Sequence, residues 1–364
     1  LGNRIYLDHA ATTPMLPEAI AAVEGGMRRW ANPSSPHAEG RAARAALEDA
    51  RARIKAALDW DGEVILTSGA SESIAIALGR TQGGVRIVSA VEHDSVLRAV
   101  PGAERFPVSS DGRIDRDAFG PALRRAGERP VVAVQHVNSE TGVVQPIGEI
   151  AKAVHAAGGL LFSDCAQSAG RLPTPDADLI AVSAHKLGGP PGVGALLVRD
   201  PAMLIPSGGQ ERGYRAGTEN LAGVLGFAAA LEAIGPRTEG VADWVSAHIA
   251  NRNRLDAALE AVGGVAICGP SLRSPLVATY RMPGMQSAAQ LVRFDLSGFA
   301  VSAGSACSSG TLKASPVMEA LRLDPIEAGQ VVRVSFGQTT TAAEIDAFAA
   351  AWTTMACEAT HRAA

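Results

Sequence analysis

Residues 301–310 read VSAGSACSSG, which sets Cys307 among glycine, serine and alanine. Structural cysteines sit in apolar runs, where the thiol behaves as a small hydrophobe. Nothing in this segment is large enough to enclose one. Cys307 instead has the neighbours of a loop residue, in a pliable Gly/Ser-rich segment. The other three cysteines lie in FSDCAQS (Cys165), VAICGP (Cys268) and TTMACEA (Cys357). Their neighbours are apolar or helical, and they read as packing residues. No CxxC pair or zinc-like spacing with histidine is present, so no metal site is expected.

Further chemistry-bearing residues each follow a short apolar run. SGASES (68–73) comes after EVILT. Small residues there let backbone approach a phosphate, a following helix N-terminus offers free N–H groups, and Ser71 adds a hydroxyl. A plain serine N-cap is the bland alternative. VEHDSV carries His93, either a surface residue or a ring able to stack on a flat cofactor. NSETG carries Asn138, equally a turn residue. Asp164 ends GLLFSD, with Gln167 just beyond. An acid ending a buried strand must be paired or solvated; a cationic aromatic nitrogen is one suitable partner, a cap on the next segment the plainer role. In SAHKLGGPPGVGAL (183–196), Lys186 is walled by small residues. Most lysines are solvated surface charges, but burial lowers a lysine's pKa and frees its lone pair for Schiff-base chemistry. Phosphate cradle, ring stacker, acid for a pyridinium nitrogen and amine for an aldehyde are together the parts of a pyridoxal-phosphate site. No GxGxxG follows a strand and opens a helix, which disfavours a dinucleotide site.

The elements that must position these residues are legible as alternation. Strand candidates at 63–67, 85–90, 130–137, 159–164, 178–184 and 193–199 are separated by amphipathic stretches such as 38–58, 115–126 and 147–157. Continuous apolar runs joined by helical crossovers predict a mainly parallel sheet covered on both faces. In such sheets ligands lie beyond the strands' carboxyl ends, where the candidates fall. A long helical stretch at 242–262 follows PRTEG, then a smaller α+β pattern. The boundary falls near 240, and RIYLDHAA at the N-terminus fits either unit. The chain has 364 residues, 47% hydrophobic and 19% charged, with net charge −4. This is globular composition without the basic excess of a nucleic-acid binder. No apolar run approaches the ~18 residues of a membrane span. No secretory signal is visible at the N-terminus, and the thiols read as reduced, so a cytoplasmic location is expected.

Ordered segments along nearly the whole chain resemble one family. They are YLDHAATTP (6–14), NPSSPH (32–37), TSGASES (67–73), VEHDSV (91–96), HVNSETGVVQPI (136–147), DCAQSAG (164–170), SAHKLGGPPGVGAL (183–196), GGQERGYRAGTEN (208–220), VSAGSACSSG (301–310) and VRVSFG (332–337). By these the sequence is similar to the NifS/IscS-like cysteine desulfurases, class V enzymes of the fold-type I pyridoxal-phosphate group. The resemblance implies an α/β fold: a large domain, 13–240, with a mainly parallel seven-stranded sheet, and a small C-terminal domain, 241–364, on which 1–12 packs. It implies that Lys186 binds the cofactor covalently, Asp164 faces the pyridine nitrogen, Gln167 the ring hydroxyl, and His93 stacks on the ring. Ala70, Ser71, Ser183 and His185 would hold the phosphate, with Thr218 reaching the site of a partner subunit in a homodimer. Asn138 would lie near the ring hydroxyl and the substrate, with Asn32 also on the substrate. Arg333 would clamp the substrate carboxylate with its bidentate fork.

The implied reaction takes sulfur from L-cysteine. Lys186 would move the α-proton, and the Cys307 thiolate would attack the substrate sulfur, leaving alanine and a Cys307 persulfide. His93 is one candidate proton acceptor for the thiol. The persulfide would pass to an acceptor protein, an iron–sulfur scaffold being one kind. The spacing from Cys307 to Arg333 fits members with a long cysteine segment. Two departures stand out. Cys165 occupies a position where a small residue is common, and Ser71 one where threonine is frequent. The longer C-terminal tail of housekeeping members is expected to be absent or trimmed here. A selenocysteine lyase and a class V aminotransferase are the nearest alternatives. A non-catalytic binding module on the same fold is disfavoured because Lys186 and Arg333 are both retained.

Overall fold

The computed structural model describes residues 4–303 and 315–363, so Cys307 lies outside the described residues. Strand β1 (Ile5–Tyr6) leads into helices α1 (Pro17–Met27) and α2 (Ala38–Ala57). Helix α2 forms because Ala43, Ala46, Leu47, Ala50 and Ile54 recur on one buried face, while the His37 ring caps it by accepting from Gly40 N at 3.2 Å.

The central unit then alternates strand and helix: β2 (Glu63–Thr67), α3 (Ala70–Arg80), β3 (Arg86–Ser89), α4 (Asp94–Ala99), β4 (Glu104–Phe106), α5 (Arg116–Arg125), β5 (Val131–Ala133), α6 (Ile147–Ala156), β6 (Leu160–Asp164), β7 (Leu179–Ser183), β8 (Gly194–Val198) and α7 (Leu221–Glu232). The strands form one seven-stranded sheet in the order β2-β8-β7-β6-β5-β3-β4. Strands β4, β3, β5, β6 and β7 run parallel, and β8 is antiparallel to both its neighbours. Alternate residues feed opposite faces. Val64, Leu66, Ile180, Val182 and Leu197 join one core cluster, while Ile65, Leu179, Ala181 and Leu196 join another. Two buried faces explain why these strands read as unbroken apolar runs. Helix α7 is apolar on all sides because it is enclosed; a Cβ at Gly26 of α1 would lie 2.7 Å from Ala222 Cα.

The rest of the chain comprises β9 (Arg237–Thr238), β10 (Val241–Ala242), α8 (Asp243–Glu260), β11 (Val265–Ala266), β12 (Val277–Arg281), α9 (Ser287–Leu296), β13 (Phe299–Ala300), α10 (Pro316–Ala320), α11 (Pro325–Ala328), β14 (Val331–Ser335) and α12 (Ala342–Ala363). An antiparallel sheet β11-β12-β14 packs with an aromatic cluster that includes Phe294, Phe348 and Trp352. The N-terminal segment sides with this region: β1 pairs with β13, and Asp8 bridges Ser335. Strands at 63–67, 86–89, 160–164, 179–183 and 194–198 follow the sequence reading closely. The 130–137 run is shorter than expected as a strand: His136 N still donates to Asp164 O at 2.9 Å, but Gln135 N turns to Glu92 Oε1 and Asn138 opens the turn toward the site. Strand β4 and helix α7 were not among the elements read from sequence.

Candidate active site

A cavity of about 510 Å³ opens at the carboxyl ends of the parallel strands. Its lining includes Ser68–Glu72 after β2, Glu92 and His93 after β3, Asp164 and Gln167 after β6, Ser183, His185 and Lys186 after β7, and Arg333 of β14. Of the residues singled out from sequence, Ala70, Ser71, His93, Asp164, Gln167, Ser183, His185, Lys186 and Arg333 meet here. Asn138 does not line the cavity. Its Oδ1 accepts from Glu140 N (3.0 Å), Thr141 N (2.8 Å) and Thr141 Oγ1 (3.1 Å), and its amide donates to Val91 O (3.2 Å). Asn32 and Thr218 are exposed and away from it; Asn32 Oδ1 accepts from Ser34 N.

The turn into α3 is shaped for close approach. Gly69 adopts φ +142°, and a Cβ built there would find only Ser183 Oγ, at 3.8 Å. No side chain caps the helix: Ser73 Oγ bonds Thr67 Oγ1 (2.9 Å), and Glu72 accepts from Ser68 N (2.5 Å). The first-turn N–H groups of α3 therefore open on the cavity, as an anion site requires. Facing them across the sheet end, Asp164 is buried, its Oδ1 accepting from Ala166 N at 2.9 Å. Burial pushes its carboxyl above the usual range, against the pull of that N–H, His93 and Lys186. Gln167 donates to Ala10 O (2.9 Å), leaving its buried Oε1 without a donor among the described residues. The His93 ring caps α4 through Nδ1 on Ser95 N (3.2 Å) and Ser95 Oγ (2.7 Å). His185 is held neutral, down to about 4, by burial and then by Lys186.

The N-terminal segment closes the site, which sequence reasoning missed. Lys186 Nζ donates to Ala10 O (2.6 Å) and Ala11 O (2.8 Å). Asp8 accepts from Arg333 Nη2 at 2.8 Å, while Arg333 Nη1 donates to Ser139 O at 3.0 Å. Arg333 is thereby fixed in a buried position with charge compensation. Glu140 accepts from Ser315 Oγ at 2.6 Å. Asp8 and Glu140 sit inside YLDHAA and NSETG, motifs already singled out, but nothing local marks partners this distant.

Glu92 was missed too. Its Oε1 accepts from Gln135 N (2.9 Å) and its Oε2 is buried without a partner among the described residues. Burial, with the nearby Asp164 charge adding to it, pushes its pKa up to about 8 from an ordinary 4.5. Between those limits the folded state keeps a proton that the unfolded chain has lost. Stability from this group is full below 4.5 and is lost as pH rises through 8. Glu92→Gln should therefore gain on wild type by a few kcal/mol between pH 5 and pH 8. Denaturant melts at the two pH values check this; parallel pH profiles would refute it.

A family model described as aminotransferase class-V matches residues 5–348, and the chain belongs to that family. Within it, the chain falls among the cysteine desulfurases. It is 35% identical over 369 residues to a cysteine desulfurase of Cereibacter sphaeroides, covering 94% of this chain and 93% of that protein. It is 34% identical over 370 residues to an IscS-like cysteine desulfurase of Mycobacterium tuberculosis, covering 94% and 93%. A solved NifS-like protein from Rickettsia africae superposes with TM-score 0.83 at 28% identity, covering 96% of this chain and 98% of that one.

Proposed function

We propose that the chain removes sulfur from L-cysteine with bound pyridoxal phosphate, giving L-alanine and a persulfide on Cys307. The observation that carries this reading is the meeting of Lys186, Asp164, Gln167 and Arg333 on one cavity. The residues fit the cofactor. The orphaned Gln167 Oε1 suits a ring hydroxyl, the buried Asp164 suits a cationic ring nitrogen, and the open start of α3 suits a phosphate. When bound, the cofactor supplies an aldehyde for amines and a ring that accepts the electron pair left at the substrate Cα.

The chain's own residues do the rest. Ser71, Ser183 and His185, with Ala70 N–H, hold the phosphate, and His93 covers the ring. Lys186 anchors the cofactor, then moves the proton at Cα as a free amine. Arg333 takes the substrate carboxylate. The Cys307 thiolate attacks the substrate sulfur; the Cβ–S bond breaks, an S–S bond forms, Cβ gains a proton and Cα regains its own, giving alanine. A reductant or an acceptor protein then removes the outer sulfur. Thr218, exposed on the single chain, is assigned to the cofactor phosphate of a partner subunit, making the working unit a homodimer. Asn138 and Asn32 are assigned substrate-side roles from the same resemblance.

The same reading divides the chain at 240, with 1–12 joined to 241–364; the pairing of β1 with β13 supports it. It also places the protein in the cytoplasm, supported by the free thiols Cys165, Cys268 and Cys357. Among the described residues no helix is long and apolar enough to cross a membrane.

The test is product formation from L-cysteine with a thiol reductant. Alanine and sulfide should appear in equal amounts, and Arg333→Ala should raise KM by roughly 10²-fold, with a smaller loss in kcat, as expected for a lost charge-assisted pair. Pyruvate in place of alanine would overturn the reaction. An unchanged KM in Arg333→Ala would overturn the carboxylate assignment.

A further inference from the structure

Arg171 follows the DCAQSAG motif and has no part in the reaction above. It is 4% exposed, yet its side-chain partners among the described residues are a carbonyl and a hydroxyl, not a carboxylate. A buried guanidinium without an anion is costly, and such groups are normally paired. Burial lowers its pKa to about 10, so it remains a cation at neutral pH. What it touches is specific. Nη2 donates to Lys186 O and reaches Thr13 Oγ1 at 3.5 Å. Thr13 Oγ1 donates to the same Lys186 carbonyl at 2.8 Å, and Thr13 N donates to His185 O at 2.8 Å. The Arg171 backbone is tied on both sides, its N–H to Ser168 O (2.9 Å) and its carbonyl to Ala242 N (3.0 Å). Three segments, 10–13, 168–171 and 185–186, are thus joined at the base of the lysine.

We propose that Arg171 is a positioning residue for Lys186: it fixes the main chain beneath the lysine and supplies a permanent buried cation that favours the uncharged amine. This rests on the assignment of Lys186 as the cofactor-binding amine. Among the described residues, the other charged or titratable side chains on that cavity are Glu72 of α3, Glu92 and His93 before α4, Glu140 after β5, Asp164 of β6, His185 beside the lysine and Arg333 of β14, and His9 lies on the N-terminal segment. Asp164 is the acid coupled to Lys186, and its charge opposes that of Arg171. His9 and His185 are each neutral, at about 4, and His9 is held there partly by Arg171. Arg333 is also a cation but is paired with Asp8, whereas Arg171 has no carboxylate partner among the described residues. A fixed like charge near an amine disfavours its protonated form by about one pH unit. Its removal lets the protonated form persist to higher pH.

The test is a pH titration of the visible absorbance of the cofactor-loaded enzyme. In Arg171→Met the midpoint should rise by about one pH unit. Arg171→Lys, which keeps the charge and loses the fork, should titrate as wild type. A Met variant that titrates as wild type, or a Lys variant that moves as far as Met, overturns the proposal. Should Arg171→Met fail to fold, Arg171→Gln carries the same expectation. Lys186→Ala is measured alongside. A visible band that resists dialysis in Lys186→Ala would instead refute the assignment on which this rests.

Discussion

Lys186→Ala is expected to lose the cofactor absorbance that resists dialysis and to lose turnover together. Lys186 lies in the short turn just beyond the wholly buried strand β7, and its Nζ is drawn into the cavity by Ala10 O and Ala11 O. Among the described residues no second lysine lines that cavity. Proton transfer by a placed side chain is worth roughly 10²–10⁴-fold, and the lost anchor adds to that. Phosphate contacts at the start of α3 do not depend on the amine, so the variant should still bind pyridoxal phosphate, now released on dialysis. Absorbance spectra and alanine assays on the same preparation decide it. Turnover within tenfold of wild type would mean that another group moves the proton.

Much of this arrangement was legible in the sequence because it is local. Strands such as β7 and β8 are buried along their whole length, so their apolar runs announce themselves. The rule that ligands lie beyond parallel strand ends then points to SGASES, Asp164 and Lys186 from the sequence alone. What stayed hidden depends on distant partners. Asp8 and Arg333 are 325 residues apart, and their pairing follows from β1 joining β13 and Asp8 bridging Ser335. Arg51 and Glu211 form a buried bidentate pair across 160 residues, with Glu211 also accepting from Leu66 N at 2.8 Å. That pair steadies β2 immediately before the SGASES turn, yet neither residue has a local sign of it. Asn138 shows the opposite effect. Both readings of it were open in sequence, and in the fold its polar atoms are spent on the turn that presents Ser139 and Glu140 to the cavity.

Cys307→Ala should keep the visible absorbance and lose alanine and sulfide formation from L-cysteine by more than about 100-fold. The expectation follows from what the other thiols can do. Cys165 stands next to Asp164, close enough to raise the question of a second nucleophile, but it is 2% exposed and burial pushes its pKa up to about 12. At neutral pH its thiolate fraction is negligible, and the thiol donates to Ser163 Oγ at 3.7 Å. Cys268 is also buried, raised to about 11, and packs in a separate cluster with Val143 and Met318. Cys357 lies exposed on α12, outside the cavity lining. No described thiol is both ionisable and within the site, so the proposed sulfur acceptor is the remaining cysteine, Cys307. Mass spectrometry of wild type after a single turnover should find the added sulfur on the peptide carrying Cys307. Sulfur on Cys165 instead would overturn the assignment. A Cys307→Ala protein with full activity on selenocysteine and none on cysteine would move the chain toward selenocysteine lyase chemistry, in which the cofactor and Lys186 suffice to release selenium.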